Sequence, residues 1–256
     1  MLRFLLDSLH IFPHPAQISS PMISIVFPAF NEAENIRRFQ TEVLPEFMKL
    51  GMPFEIIIVD DGSSDETASI ASSLGQSVRC VKHDRNRGLG AAIRTGIAEA
   101  KGDLVVTMDT DLTFAPSLVA KLLKRFQMGD VDVVSGSPKL AGYGKDIPSY
   151  RIFVSHVATI IYQLVMGAKI TAVSPILRLY KRDQLLELPL QSTGFDINAE
   201  ILFYLIRNNR KIAEIPAPLT QRIHGESKLN YGKEMRRHLR LLKRMIALRF
   251  TGRNKV

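Results

Sequence analysis

Residues 105–116 read VVTMDTDLTFAP, an apolar run that passes directly into two aspartates separated by one residue and then a threonine. The apolar part suits a strand buried on both faces, where no polar side chain has to alternate outward. If the extended conformation persists, Asp109 and Asp111 point to the same side of the chain. Two carboxylates so placed repel unless a cation lies between them. Hard oxygen ligands favour Mg2+ or Mn2+, with phosphate oxygens of a ligand completing the shell. Thr113, at the next alternate position, offers a third oxygen. Pro116 suits the first turn of a helix running to Met128.

Working outward, the same strand–loop–helix unit recurs on both sides. Strands are expected at MISIVFP (22–28), EIIIVD (55–60), Ser77–Val81, DLVVTMD (103–109) and VDVVSG (131–136). Between them, 33–50 places Ile36, Phe39, Val43 and Phe47 on or near one helical face. Asp65 can cap a helix through Leu74, and Gly88–Lys101 reads as a helix rich in Ala and Gly. This order predicts an α/β fold with a mostly parallel sheet and helices on both faces. Ligands of such sheets sit beyond the carboxyl ends of the strands. At those ends stand Asn31 and Glu32, Asp60 and Asp61, and Asp109 and Asp111. One acidic residue in a loop is ordinary turn chemistry; three groups in register argue for a binding edge. The second half is less regular. A loop spans 137–150, a helix 151–167, a strand and short helix 176–188, and an amphipathic helix 194–209 with Asp196 near its start. A strand-like stretch broken by prolines covers 211–219, and a helix 231–250.

Composition narrows the classes. The 256 residues are 46% hydrophobic, enough for a packed core, and Cys80 is alone, so no disulfide framework or cysteine zinc site exists. The net charge is +9, and residues 221–256 carry all of it, with eleven Lys/Arg against two Asp/Glu. The body is neutral and the tail basic, which suggests an anionic partner such as a membrane surface. The chain lacks tryptophan and any RNA- or DNA-binding motif, so no nucleic-acid partner is expected. The uncharged run Ile152–Ala168 has 17 residues and several polar ones, short of the roughly 20 apolar residues that span a bilayer. It reads as a helix buried in protein or resting at an interface. The opening MLRFLLDSLHIFPHP is broken by Asp7 and His10 and does not read as a signal peptide. Residues 1–21 are expected to be an extension, 22–230 the domain and 231–256 a basic helix and tail.

A strand followed by DxDxT also resembles haloacid dehalogenase-like phosphatases, in which Asp109 would be the nucleophile and Asp111 the general acid. That motif ends the first strand of its domain, whereas here it ends the fourth. The adjacent pair Asp60–Asp61 precedes it rather than following. A different resemblance covers about residues 22–235. FPAFNEAENI (27–36), IIIVDDGSSDET (56–67), NRGLGAAIRTGIAEAKGD (86–103) and MDTDLTFAP (108–116) together resemble family 2 glycosyltransferases with the GT-A fold. STGFDINAEILF (192–203), AEIPAPL (213–219) and RIHGESKLN (222–230) are similar to the dolichol-phosphate mannosyltransferase branch.

That resemblance implies an inverting, metal-dependent transfer of a sugar from a nucleotide donor to a polyprenyl or dolichyl phosphate, with GDP-mannose as donor. It implies that Pro28, Phe30 and Glu32 line the nucleoside pocket and that Val59 and Asp61 hold base and ribose. Asp109, Thr110 and Asp111 would frame the diphosphate, with Asp109, Asp111 and Thr113 at the Mg2+ or Mn2+ ion. Arg222 and Lys228 would bind donor or acceptor phosphate. It implies a peripheral protein on the cytosolic face of a membrane, with or without small anchoring subunits. Two departures stand near the expected sugar and acceptor. GSPK puts Pro138 where the branch has an arginine, and TAVSPILRLY puts Ala172, Pro175 and Ile176 before Arg178 in place of an acidic residue and a small-Gly-Phe run. A UDP-sugar donor, and a scaffold that binds nucleotide-sugar without turnover, therefore remain as alternatives. The final helix has an apolar stripe, Met235, Leu239, Leu242 and Ile246, beside a basic face. Either the stripe packs on the domain or the helix lies on a membrane.

Overall fold

The computed structural model describes residues 21–142, 149–223 and 230–250. Among these residues seven strands form one sheet. They are β1 (Ile23–Ala29), β2 (Phe54–Asp60), β3 (Val78–Lys82), β4 (Leu104–Thr107), β5 (Val133–Ser137), β6 (Arg178–Lys181) and β7 (Ile212–Pro216), in the order β3-β2-β1-β4-β6-β5-β7. The continuous apolar runs have the cause expected of them, since both faces are covered. Ile25 and Phe27 of β1 and Ile56 and Ile58 of β2 pack under Phe39, Phe47 and Leu122 on one side. Val26, Ile57, Val59 and Val105 meet Ile93, Ile97 and Leu202 on the other.

Helices α1 (Ala33–Arg37), α2 (Leu44–Met48), α3 (Thr67–Ser73) and α5 (Leu118–Phe126) cover the first face, while α4 (Leu89–Glu99), α7 (Ser149–Met166), α9 (Ile197–Arg207) and α10 (Tyr231–Phe250) cover the second. The short helices α6 (Pro138–Ala141) and α8 (Arg182–Leu186) follow β5 and β6. The helix expected over 33–50 is interrupted by a π-helical turn, Phe39–Val43. Pro45 lies in the first turn of α2 and has no N–H to continue the i to i−4 ladder, so the chain changes winding just before it. Within the expected loop 137–150, Pro138 opens α6 and the Ser137 hydroxyl accepts from Leu140 N at 3.4 Å. Residues 143–148 lie outside the described residues.

The sheet is parallel from β3 through β4, but β6 enters between β4 and β5 and runs antiparallel to both. β7, the proline-broken stretch, pairs parallel with β5. Arg178 on β6 is wholly buried and holds this insertion in place. Its Nε donates to Ser135 Oγ (3.0 Å), Nη1 to Asn198 O (3.1 Å) and Nη2 to Val173 O (2.6 Å). One guanidinium thus joins β5, the start of α9 and the segment that leads into β6. α10 packs on the body through Leu241 and Met245, while Met235, Leu239 and Ile246 of the predicted stripe stay exposed.

Arg178→Leu removes all three donors and leaves buried oxygens without partners. It is expected to cost about 3 kcal/mol in urea unfolding, since each orphaned buried group costs about 1–3 kcal/mol.

Candidate active site

The site begins with two loops bolted together at the carboxyl ends of β1 and β2. Asn31 N donates to Ser63 Oγ (2.8 Å), Ser64 N to Asn31 Oδ1 (2.8 Å), Glu32 N to Thr67 Oγ1 (2.8 Å) and Ala33 N to Asp65 Oδ2 (3.2 Å). Asp65 Oδ1 also accepts from Thr67 N at 3.0 Å. This carboxylate therefore serves the starts of two helices, α1 and α3, which is more than the single cap expected of it. The result fixes the backbone of Glu32 at the rim.

Asp61 is bonded to a different loop. Its Oδ1 lies 2.7 Å from His83 Nδ1 and accepts from Arg87 N (2.9 Å), and its Oδ2 accepts from Gly88 N (2.7 Å). His83 Nε2 is 2.9 Å from Thr95 Oγ1, which ties the group to α4. Asp61 and His83 are both buried. The carboxylate expected to hold ribose thus shapes the 83–88 loop, and the lone histidine in VKHD was the overlooked signal. Gly88 (φ +97°) and Gly90 pass so close to the 192–193 backbone that a Cβ would lie 2.2 Å from Thr193 O or 2.4 Å from Ser192 O. Val59 packs wholly in the core and is the register partner of Pro28, which is buried too. Phe30 follows β1, half-buried.

β4 stops at Thr107, two residues before the expected end, so Asp109 and Asp111 do not alternate along a strand. The chain turns at Thr110–Asp111, and Leu112 adopts φ +55°. A leucine in the left-handed region is strained, and such residues gather at functional sites. Leu112 and Phe114 are buried in the core and anchor the turn, with Asp109 half-buried and Asp111 buried at the edge. Thr113 comes back to Asp111 through its backbone, its N–H donating to Oδ1 at 3.0 Å. The strand geometry that set its hydroxyl beside the two carboxylates is therefore absent.

Arg222 arrives from the far end of the domain. Its Nε and Nη2 both donate to Asp111 Oδ2 (2.9 and 2.8 Å), and Nη1 is 3.8 Å from Glu32 Oε1. The approach is fixed by Thr220, whose N (2.9 Å) and Oγ1 (3.0 Å) donate to Thr113 O. Burial and the neighbouring Asp111 carboxylate push the Asp109 carboxyl up to about 8, with Arg222 pulling it down and Glu32 raising it. Partial burial opposes the charge on Arg222, but its bond to Asp111 holds it above its ordinary value. Glu32, Asp109, Asp111 and Arg222 thus form one electrostatic unit. Thr110 is buried beside them. Lys228 lies outside the described residues. Among the described residues no three His, Cys, Asp or Glu side chains come close enough to hold an ion by themselves.

A profile of the Glycosyl transferase family 2 matches residues 24–188. The chain is a family 2 glycosyltransferase. The dolichol-phosphate mannosyltransferase of Pyrococcus furiosus is 30% identical over 88% of this chain and 63% of its own length, so this glycosyltransferase spans less than two thirds of that relative. The dolichol-phosphate mannosyltransferase of Mycosarcoma maydis is 32% identical over 91% of this chain and 81% of its own. In three dimensions the glycosyltransferase resembles glucosyl-3-phosphoglycerate synthase from Mycobacterium tuberculosis, crystallised with Mn2+, UDP and glucosyl-3-phosphoglycerate. The TM-score is 0.69 at 22% identity, over 89% of this chain and 80% of that one. That likeness establishes the GT-A type of fold expected from the sequence, and family membership removes the phosphatase reading.

A raised acid pKa favours the folded state while the proton is bound, so stability is lost as pH climbs from the ordinary aspartate range, near 4, to about 8. Asp109→Asn removes that loss. In chelator, thermal unfolding should show the variant gaining on the wild-type glycosyltransferase at pH 8 and not at pH 5.

Proposed function

We propose that this glycosyltransferase moves a sugar, mannose from GDP-mannose, onto a dolichyl or other polyprenyl phosphate with inversion, at the cytosolic face of a membrane. The observation that carries the reading is the Glu32–Asp109–Asp111–Arg222 unit at the carboxyl end of the sheet. The names of the two relatives support the lipid acceptor.

The donor set fits a divalent cation. Asp109 and Asp111 are hard oxygen ligands, and burial, with repulsion from Asp111 added to it, holds a proton on Asp109 near neutrality. Asp109, Asp111 and the Thr113 hydroxyl would hold Mg2+ or Mn2+ with the donor's phosphates completing the shell. The bound ion would offset charge on the departing diphosphate.

The remaining work falls to side chains of this chain. Glu32, held by the 63–67 loop, would accept from ribose hydroxyls, beside Pro28 and Phe30. Asp61 would act at the base and ribose through the 83–88 backbone it organises. Arg222 would exchange its Asp111 contact for phosphate oxygens as the donor enters, with Lys228 adding charge. An acceptor phosphate is largely ionised at neutral pH, its second pKa being about 6, and needs no general base. One of its oxygens forms the bond to the anomeric carbon as the bond from that carbon to the nucleoside diphosphate breaks. The protein's part is to align the two and to neutralise them.

Pro138, standing where the branch has arginine, favours a second reading with a UDP-sugar donor. Labelled GDP-mannose, UDP-glucose and UDP-N-acetylglucosamine, each offered with dolichyl and undecaprenyl phosphates, separate the two. Lipid-linked product with none of the pairs overturns the transfer itself. Chelation should abolish turnover and Mn2+ or Mg2+ restore it. Asp109→Asn and Asp111→Asn should each lower kcat by about a hundredfold or more, the scale of losing one stabilising group at a developing charge.

A further inference from the structure

α7 turns an uncharged apolar face to solvent. Phe153, Val154, Val157, Ile160, Ile161 and Leu164 recur at i, i+1, i+4, i+7, i+8 and i+11, the positions of one helix face. All six are exposed, Phe153 at 69% and Leu164 at 71%. Thr159, Tyr162 and Met166 form the buried side. No Asp, Glu, Lys or Arg occurs from Ile152 to Ala168. Hydrophobic residues exposed singly are ordinary; a continuous line of them marks an interaction surface.

α10 lies alongside. Tyr162 OH is 2.6 Å from His238 Nδ1, and Arg249 Nη1 donates to Leu164 O (2.5 Å) and Val165 O (3.0 Å). This helix has three faces. Leu241 and Met245 pack on the body; Met235, Leu239, Ile246 and Phe250 are exposed along a second line, about 130° round at about 100° per residue. Arg236, Arg240 and Lys243 form a third face, exposed and without an ion pair to any described residue. His238 and Arg249 fall between the first two faces, so α7 borders the exposed apolar line of α10.

The charge decides the occupant. A second copy would bring two basic tails together, each carrying the chain's whole excess of +9. An anionic lipid surface satisfies both features at once, taking the apolar lines into its acyl boundary and the arginines and lysine among its headgroups. No described helix is long and apolar enough to cross a membrane, which leaves lying in the interface.

We propose that α7 is an insertion helix. It lies in the plane of an anionic leaflet with Phe153 to Leu164 below the headgroups, and α10 holds it there through Arg236, Arg240 and Lys243. At about 1.5 Å per residue it covers about 27 Å of membrane surface. This deepens the lipid-acceptor reading and rests on it for its purpose. α7 begins twelve residues after β5 ends at Ser137, so its depth sets the height of the sheet's carboxyl edge above the bilayer.

Because the chain has no tryptophan, Phe153→Trp gives a silent background and one reporter. Its emission should shift to the blue on vesicles of phosphatidylcholine with phosphatidylglycerol, and lipids brominated in the acyl chain should quench it. Met48→Trp, exposed on α2, should show neither change. Val157→Asp with Leu164→Asp should lower vesicle binding of the full chain by more than about tenfold, because each substitution replaces a buried apolar side chain with a charge. The melting temperature and turnover with a short water-soluble prenyl phosphate should stay unchanged. Arg240→Gln with Lys243→Gln should lose only the preference for anionic vesicles. An unquenched Phe153→Trp, vesicle binding untouched by the aspartates, or a dimer dissolved by them each overturns the proposal. Vesicle binding uses no substrate, so insertion without turnover on any acceptor refutes the transferase reading and leaves the insertion helix standing.

Discussion

Two carboxylates cannot share the end of a sheet without a counter-charge, and much of this fold is arranged around that requirement. Asp111 and Arg222 are 111 residues apart in sequence, yet Arg222 gives two hydrogen bonds to one oxygen of Asp111 and faces Glu32 as well. That meeting needs the turn at Leu112, the Thr220 contacts to Thr113 and the 63–67 loop behind Glu32. Each of these is a backbone arrangement, so the site is held by the scaffold rather than by the charges themselves. Arg222 offsets part of the acidic charge and leaves Asp109 still inclined to keep its proton.

The strands were legible because burial on both faces leaves an unbroken apolar signature, as in Ile56–Val59 and Val105–Val106. The sheet edge was legible because Glu32, Asp109 and Asp111 follow those strands directly. The geometry at the edge was not. A left-handed leucine contradicts local preference and accompanies the burial of Leu112 and Phe114, so strand alternation does not continue from Asp109 to Thr113. The partners of Asp61 were hidden for a related reason. Its position after β2 suggested a ligand-facing carboxylate, whereas its partners, His83, Arg87 and Gly88, are contributed by a loop more than twenty residues away. Pro45 did advertise a break in the first long helix. Nothing local indicated that Arg178 would be buried with a hydroxyl and two carbonyls as its hydrogen-bond acceptors among the described residues.

The second face of the sheet carries a different kind of continuity. The carboxylate of Glu200, fully buried on α9, accepts from Gln191 N (3.1 Å) and Ser192 N (2.7 Å) and is also bonded by Arg244 of α10. Ser192 O in turn accepts from Arg94 of α4 (2.8 Å), and Thr193 O from Gly90 N (3.0 Å). The basic helix is therefore joined through hydrogen bonds to the loop that Asp61 organises. Its apolar line at the surface and its polar anchoring inside are separate features on separate faces.

The long reach from Asp111 to Arg222 bears on how the molecule is made. Synthesis runs from the amino end, and β1 to β4, with the acidic turn after them, exist before the arginine has been added. A nascent chain carries an acidic rim whose internal cation is still to come, together with the unfilled gap in the sheet that β6 later occupies. The last fifth of the sequence supplies the strand β7, the charge and the basic helix α10 in quick succession. The acidic rim so gains its internal counter-charge only after the strands of the sheet have been made.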